Sequence, residues 1–163
     1  LDMQVLYSDP FVEEGQFDAP GEKVDFDDVL KNSDYLCIHA PLTSETRGMI
    51  GAEEFLQMKK TAFVINCSRG PIINTEALVN ALDDRQIGGC ALDTTDPEPL
   101  PIDHTLQSRE NVIINPHVAW YSEQAMEGLQ RGAPSEVRLA LEGKWPTNVV
   151  NQAVKENNRA GIK

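Results

Sequence analysis

Short apolar runs alternate with helix-forming segments along the chain, and this alternation restricts the possible fold more than any other feature of the sequence. The runs lack the regular polar alternation of a half-exposed strand, which is typical of strands that are buried on both faces of a parallel sheet. Strands are predicted at Met3–Ser8, Tyr35–His39, Ala62–Asn66, Gly89–Leu92 and Val112–Asn115. Strand–helix–strand alternation predicts right-handed crossovers and a doubly wound α/β sheet.

Helix start signals lie between and after these strands. Asp25, Asn74 and Ser122 are predicted to cap helices, and a further helix is predicted over Ala52–Met58. The helix after Ser122 is the longest and contains Pro134. A proline inside a helix removes a backbone hydrogen bond and costs about 3 kcal/mol, so we expect a kink or a break near this residue.

The charge balance and the cysteines exclude several classes of function. The 163 residues carry 14 basic and 26 acidic side chains, and the net charge of −12 argues against broad binding to nucleic acid or to anionic membranes. No apolar run approaches the ~20 residues that a membrane-spanning helix needs. The three cysteines, Cys37, Cys67 and Cys90, are widely spaced in apolar segments, which favours reduced thiols over disulfides or a metal cluster. We therefore expect a cytoplasmic protein with no metal site, no membrane contact and no direct contact with nucleic acid.

Polar side chains follow the predicted strands at their carboxyl ends, where α/β sheets bind their ligands. Asp9 follows the first strand, Arg69 the third, Asp93 the fourth and His117 the last. Acidic, basic and imidazole groups are therefore expected along one edge of the sheet.

Two of these residues have a functional and an ordinary structural interpretation, and both stay open. Asp9 can accept hydrogen bonds from both ribose hydroxyls of an adenosine and repel a 2′-phosphate, or it can simply form a turn before Pro10. Arg69 can present two parallel hydrogen bonds to a carboxylate, or it can be a surface residue in a tight turn. Gly70 would let a ligand approach the backbone closely.

His117 is the candidate for proton transfer, because histidine suits exchange with a carbonyl oxygen near neutral pH and this one precedes a capped helix. Glu98 lies between two prolines that stiffen its loop. An acidic loop can also be merely solvated, and that interpretation is preferred for Asp96. His104 lies in a polar loop and His39 is expected to bond locally, so neither is a candidate.

Three motifs follow the predicted strands, namely the segment 66–78 (NCSRGPIINTEAL), Ala91-Leu92-Asp93 with Glu98-Pro99, and Pro116-His117-Val118-Ala119. Together they resemble the motifs of the D-isomer-specific 2-hydroxyacid dehydrogenase family, in particular its NAD-binding domain. The resemblance runs from residue 1 to about residue 151. Within the family, residues 116–125 look most like the C-terminal-binding corepressor branch and its bacterial relatives.

The resemblance implies a role for each candidate. His117 would be the general acid/base, Glu98 its orienting partner, and Arg69 the residue that binds the substrate carboxylate. Asp9 would bind the adenine ribose and Asp93 would lie near the nicotinamide carboxamide. Further residues that would line NAD are Ala40, Pro41, Leu42, Thr46, Cys67 and Ser68, with Arg69 and His117 also contacting the cofactor and Trp120 contacting the substrate.

The resemblance also implies that the sequence holds only part of the domain. The family's glycine-rich turn, which cradles the pyrophosphate, would precede residue 1 together with its strand and helix. We therefore expect an incomplete Rossmann-type doubly wound sheet over residues 1–147. The tail, residues 148–163, would return to an absent substrate domain. The chain alone is expected to be inactive and to self-associate through an apolar edge or face beside Val5 and Leu6.

The implied function of the parent protein is the NAD-dependent interconversion of a 2-keto acid and a D-2-hydroxy acid by a homodimer. The alternative from a different class is a corepressor-like scaffold of the same fold that senses NAD(H) and acts by binding partners. Both branches keep the same arginine, glutamate and histidine, so a turnover assay is needed to separate them. The identity of the 2-hydroxy acid is not predicted.

Overall fold

Two parallel sheets are present in the computed structural model, which describes residues 2–13, 15–16 and 21–157. The strands are β1 (Leu6–Tyr7), β2 (Glu22–Lys23), β3 (Tyr35–Ile38), β4 (Phe63–Asn66), β5 (Gly89–Leu92) and β6 (Val112–Ile114). β1 pairs with β2, and β3, β4, β5 and β6 pair in chain order with every pair parallel. The predicted α/β fold with a parallel sheet is confirmed.

The first predicted strand is shorter than expected and has a partner that the sequence analysis missed. The carbonyl oxygens of Val5 and Tyr7 accept hydrogen bonds from the backbone N–H groups of Glu22 and Val24, at 2.9 and 3.0 Å. β2 is charged, so it carries no apolar run that would have revealed it. The N-terminal segment is therefore not part of the four-stranded sheet in the described residues.

Helices α1 (Phe26–Asn32), α2 (Ala52–Gln57) and α3 (Thr75–Asp83) connect the strands. Asn74 caps α3, because its Oδ1 accepts the N–H of Ala77 at 2.9 Å. Asp25 is the cap residue of α1, although its side chain forms no capping hydrogen bond. The core lies between these helices and one face of the main sheet, where Leu30, Phe55 and Val64 are completely buried.

The face of the main sheet opposite to these helices has exposed side chains, which contradicts the prediction that the strands are buried on both faces. Tyr35 and Ile113 are 59% and 63% exposed, and the ring of Tyr35 stacks on Phe63 with 6.1 Å between centroids. Strands that follow one another in chain order with right-handed crossovers place all their helices on the same side. The apolar runs are therefore covered on one face only in the described residues.

Two compact units divide the chain between Ala119 and Trp120. The second contains α4 (Glu123–Leu141), which Ser122 caps by accepting the N–H of Ala125 at 3.0 Å. α4 is unbroken through Pro134, so the predicted break is wrong, and the alternative of a kink stays a prediction. Proline removes one backbone N–H donor, and the helix continues on both sides of it.

The carboxylate of Glu136, on α4, holds the segment that follows this helix. Its Oε2 accepts the backbone N–H of Thr147 at 2.7 Å, and its Oε1 accepts the side-chain amide of Asn148 at 2.7 Å. The predicted tail thus begins at an anchored residue, while its last part, residues 158–163, lies outside the described residues. No helix in the described part of the chain is long and apolar enough to cross a membrane.

Candidate active site

The central contact of the candidate site joins His117 to Glu98, the residue that the resemblance implies as its orienting partner. Nδ1 of His117, after β6, lies 2.6 Å from Oε1 of Glu98, after β5, and both side chains are 41% exposed. A carboxylate at Nδ1 favours a proton on that nitrogen and fixes the plane of the ring. Proton exchange with a ligand then falls to Nε2 of the same imidazole.

Asp93 lies at the end of β5, beside these two residues, and is only 4% exposed. Its Oδ1 accepts the backbone N–H of Val118 at 2.9 Å and its Oδ2 accepts that of Ala119 at 3.0 Å. The predicted site residue therefore faces the backbone that directly follows His117.

Arg69 follows β4 in a turn that is held from inside by Asn66. The Asn66 side chain is completely buried, donates to the carbonyl oxygen of Arg69 at 2.9 Å and accepts the N–H of Ser68 at 3.0 Å. The guanidinium of Arg69 is exposed and donates to the carbonyl oxygen of Ser68 at 2.7 Å. Asn66 was missed as a site residue, although a lone polar residue at the end of an apolar strand was a usable signal.

The expectation that a ligand approaches the backbone at Gly70 is corrected, because the backbone that approaches this residue belongs to the chain itself. A Cβ at this position would lie 2.0 Å from the carbonyl oxygen of Thr95 and 2.8 Å from the backbone nitrogen of Asp96. Gly70 is also buried. The glycine therefore permits packing of the loop that leads to Glu98, rather than contact with a ligand.

The loop after β3 contains four residues of the expected cofactor lining, Ala40, Pro41, Leu42 and Thr46. The hydroxyl of Ser68 donates to the carbonyl oxygen of Ala40 at 2.5 Å and so joins this loop to the turn after β4. The hydroxyl of Thr46 closes the loop by donating to the carbonyl oxygen of Pro41 at 2.6 Å. Leu42 is half-buried against the core. The ends of the four parallel strands β3, β4, β5 and β6 thus bring their candidate residues to one edge of the sheet.

Two further candidates belong to other parts of the chain, since Asp9 follows β1 of the two-stranded sheet and Trp120 lies in the second unit. Oδ1 of Asp9 accepts the N–H of Phe11 at 2.8 Å, as the turn interpretation of this residue expects. The binding of a ribose by Asp9 stays a prediction. Trp120 belongs to the second unit, where its ring meets that of Tyr121 edge-on at 5.8 Å between centroids. His104 accepts the N–H of Leu106, which gives it a local structural role.

The three thiols differ in their environments. Burial raises the pKa of Cys90 to about 12, well above its usual value, so this thiol stays protonated. Partial burial, followed by the proximity of Cys67, also raises the pKa of Cys37. Cys67 is exposed at the start of the turn that carries Arg69, and its place in the cofactor lining stays a prediction.

Comparison with known proteins finds similarity over most of the chain. The family model "D-isomer specific 2-hydroxyacid dehydrogenase, NAD binding domain" matches residues 1–119. The glyoxylate reductase of Thermofilum pendens is 42% identical over 133 residues, which are 82% of this chain and 39% of that protein. Glyoxylate/hydroxypyruvate reductase B of Enterobacter agglomerans is 40% identical over 141 residues, 86% of this chain and 43% of that protein.

Solved structures give the same result. The D-isomer specific 2-hydroxyacid dehydrogenase of Lactobacillus delbrueckii ssp. bulgaricus in its NAD-complexed form superposes with a TM-score of 0.81 at 33% identity, over 91% of this chain and 49% of that one. The D-lactate dehydrogenase of Lactobacillus jensenii with NAD+ superposes with a TM-score of 0.82 at 30% identity, over 90% and 48%. The chain spans less than half the length of these relatives. They are named as reductases and dehydrogenases, so the expected closeness to the corepressor branch finds no support among them.

Proposed function

Because this chain belongs to the NAD-binding domain of the D-isomer specific 2-hydroxyacid dehydrogenase family, we propose that the whole protein uses NAD to interconvert a small 2-keto acid and the corresponding D-2-hydroxy acid. The observation that carries the proposal is the 2.6 Å contact between His117 and Glu98, with Arg69 at the end of the adjacent strand β4. Each of the three residues supplies one requirement of the reaction.

His117 transfers the proton and Glu98 orients it. During reduction, Nε2 of His117 gives a proton to the carbonyl oxygen of the substrate, and it takes that proton back during oxidation. Glu98 holds Nδ1 and places a negative charge beside the ring when the ring carries both protons. When bound, NADH would supply the hydride for reduction and NAD+ would accept it in oxidation.

Arg69 binds the carboxylate of the substrate. Its planar guanidinium matches a carboxylate with two parallel hydrogen bonds, which orients the neighbouring carbonyl carbon. The hydrogen bonds of Asn66 hold the backbone of the turn from which the Arg69 side chain starts. The side chain of Arg69 is exposed and therefore accessible to a small acid. A contact of Trp120 with the substrate stays a prediction.

The cofactor lies along the edge formed by the loop after β3 and the turn after β4 in this proposal. The hydrogen bond between Ser68 and Ala40 makes these two segments one continuous surface. Asp9 favours NAD over NADP, because its carboxylate would face the extra 2′-phosphate of NADP with like charge. The resemblance also assigns Asp93 to the nicotinamide carboxamide, but both of its carboxylate oxygens already accept backbone N–H groups of the chain itself.

We further propose that the two parallel sheets belong to one Rossmann-type sheet that a strand outside this sequence completes. A strand inserted between β1 and β3 would join the two sheets in the order β2, β1, inserted strand, β3, β4, β5, β6. The strand order then runs outwards in both directions from the inserted strand, as it does in a doubly wound sheet. The same insertion would supply the glycine-rich turn for the pyrophosphate. Residues 1–147 are then part of a cofactor domain, and residues 148–163 lead to the substrate domain.

The substrates we propose are glyoxylate and hydroxypyruvate, since two of the similar proteins are named as reductases of these acids. The test is the rate of NADH oxidation by the whole protein with glyoxylate, hydroxypyruvate and pyruvate. His117→Ala should lower turnover by about 10²–10⁴-fold, while NADH binding changes little. His104→Ala is the matched control, because this histidine caps a short helical turn away from the site.

Two results would contradict the proposal. Turnover that His117→Ala leaves unchanged would remove this residue from the mechanism. NADH binding that promotes association without turnover on any 2-keto acid would favour the scaffold alternative, which no observation on the described residues supports.

A homodimer in the cytoplasm, without direct contact with nucleic acid, completes the proposal. Its oligomeric part is tested by sedimentation velocity of the whole protein, which should give the mass of two chains over a range of concentrations. A monomer at every concentration would contradict it.

A further inference from the structure

The backbone of His117 has an uncommon conformation. Its φ is +56°, in the left-handed region that few residues other than glycine adopt, although histidine enters it more readily than most. A residue keeps this conformation when its surroundings hold it there. The contacts that hold it are therefore part of what places the imidazole.

Both sides of His117 are anchored to β5. On its N-terminal side, the N–H of Asn115 donates to the carbonyl oxygen of Leu92 at 2.9 Å. On its C-terminal side, the N–H groups of Val118 and Ala119 donate to the two carboxylate oxygens of Asp93.

Asp93 is a rigid anchor. It is almost completely buried, and its own N–H donates to the carbonyl oxygen of Asn66 at 2.9 Å. The chain that leaves Asp93 carries Glu98 only five residues later. The two partners of the 2.6 Å contact are thus both positioned from the end of β5.

We propose that Asp93 is a positioning residue that acts through the backbone of Val118 and Ala119 to hold His117 in its left-handed conformation against Glu98. This inference deepens the proposed function and rests on it for its catalytic meaning. The carboxylate is suited to the task because two acceptor oxygens meet two parallel N–H donors. An asparagine of the same size would offer one carbonyl oxygen and would turn an N–H₂ group towards the second donor.

The first test measures backbone amide hydrogen exchange in this chain. In the wild type, the amides of Val118 and Ala119 should exchange slowly, although Val118 is 44% exposed. In Asp93→Asn at least one of them should exchange about tenfold faster. The strong intraresidue NOE between N–H and Hα that marks a positive φ at His117 should weaken in the same variant.

Asp96→Asn is the matched control. It makes the same change of charge on the same loop, but the Asp96 side chain is exposed and does not accept these amides. Exchange and NOE should match the wild type. Fast exchange of both amides in the wild type, or equal protection in Asp93→Asn, would overturn the inference. If Asp93→Asn does not fold, the wild-type protection decides alone.

The second test separates positioning from direct contact with the cofactor, using the whole protein. A positioning role predicts that Asp93→Asn lowers kcat strongly, while the KM for NADH changes by no more than about twofold. A raised KM for NADH with kcat retained would instead assign Asp93 to the nicotinamide and overturn the inference. If the wild type has no turnover, the proposed function fails, while the exchange experiment still decides whether Asp93 holds His117.

Discussion

Replacing Gly70 by alanine should destabilise the chain strongly, because the new methyl group has no space. Its carbon would lie 2.0 Å from the carbonyl oxygen and 2.1 Å from the carbonyl carbon of Thr95. Carbon and oxygen atoms normally approach to about 3.3 Å, so one backbone segment must move by more than about 1 Å. Neither moves easily, since Asn66 holds the turn and the hydroxyl of Thr75 holds the carbonyl oxygen of Asp96 at 2.8 Å.

The cost is at the upper end of what overpacking a core produces, about 3 kcal/mol, because main-chain atoms are displaced. In a chain of this size each kcal/mol lowers Tm by about 2–4 °C, so Gly70→Ala should melt about 6–12 °C below the wild type. The assay is thermal unfolding followed by far-ultraviolet circular dichroism. A displaced loop would also carry Glu98 away from His117.

Gly128→Ala is the control for the glycine substitution itself. A Cβ on Gly128, in the middle of α4, meets no atom within 4 Å, so alanine should leave stability unchanged or raise it by up to about 1 kcal/mol. If Gly70→Ala melts together with the wild type, the close approach of Thr95 is not a constraint, and the assignment of Gly70 to loop packing is wrong.

Three further predictions concern charge and titration. The whole protein should bind NADH more tightly than NADPH. Asp9→Ala should remove this preference, because the like charge opposite the 2′-phosphate is gone. Fluorescence titrations with both cofactors measure the two affinities, and equal wild-type affinities would refute the prediction. Because burial raises the pKa of Cys90 to about 12, the folded thiol stays protonated while the unfolded one ionises. The free energy of unfolding should therefore fall above about pH 9, by at most about 1.4 kcal/mol per pH unit up to about pH 12, and Cys90→Ala should lose that slope in urea denaturation. The pKa of Glu136 is lowered, since hydrogen bonds from Asn148 and Thr147 outweigh the opposing effect of desolvation. The hydrogen bonds from Thr147 and Asn148 to the ionised carboxylate are present above the usual carboxyl range and are lost as pH falls through the lowered pKa. An acid titration should therefore shift the amide resonance of Thr147 in the wild type and not in Glu136→Gln.

The parts of the fold that depend on local signals were predictable from the sequence. Asn74 and Ser122 cap their helices through the side-chain oxygens that the sequence indicated. β2 was not predictable, because Glu22 and Lys23 have no pattern of their own and form a strand only by pairing with β1. The exposure of Tyr35 was not predictable either, since an apolar residue in a strand does not reveal whether anything covers that face of the sheet.

The sequence indicated candidate residues for the site but not how they are held, and the roles of these residues stay predictions. His117 and Glu98 were chosen from motifs, and the structure brings them into contact. That Asp93 accepts two backbone N–H groups depends on a left-handed residue, which nothing in the local sequence signals. The interpretation of Gly70 as a ligand contact was wrong. A glycine indicates that other atoms approach its backbone closely, but not whether those atoms belong to a ligand or to the chain itself.

The transfer of deuterium from NADH labelled at the reactive carbon of its nicotinamide tests the central claim most directly. The whole protein is incubated with the labelled cofactor and glyoxylate or hydroxypyruvate, and the product is analysed for deuterium at C2 and, for hydroxypyruvate, for its configuration. We predict a deuterated 2-hydroxy acid, of D configuration from hydroxypyruvate, formed by the wild type and formed about 10²–10⁴-fold more slowly by His117→Ala. Bound NADH that transfers no deuterium, or equal transfer by wild type and variant, would contradict the account.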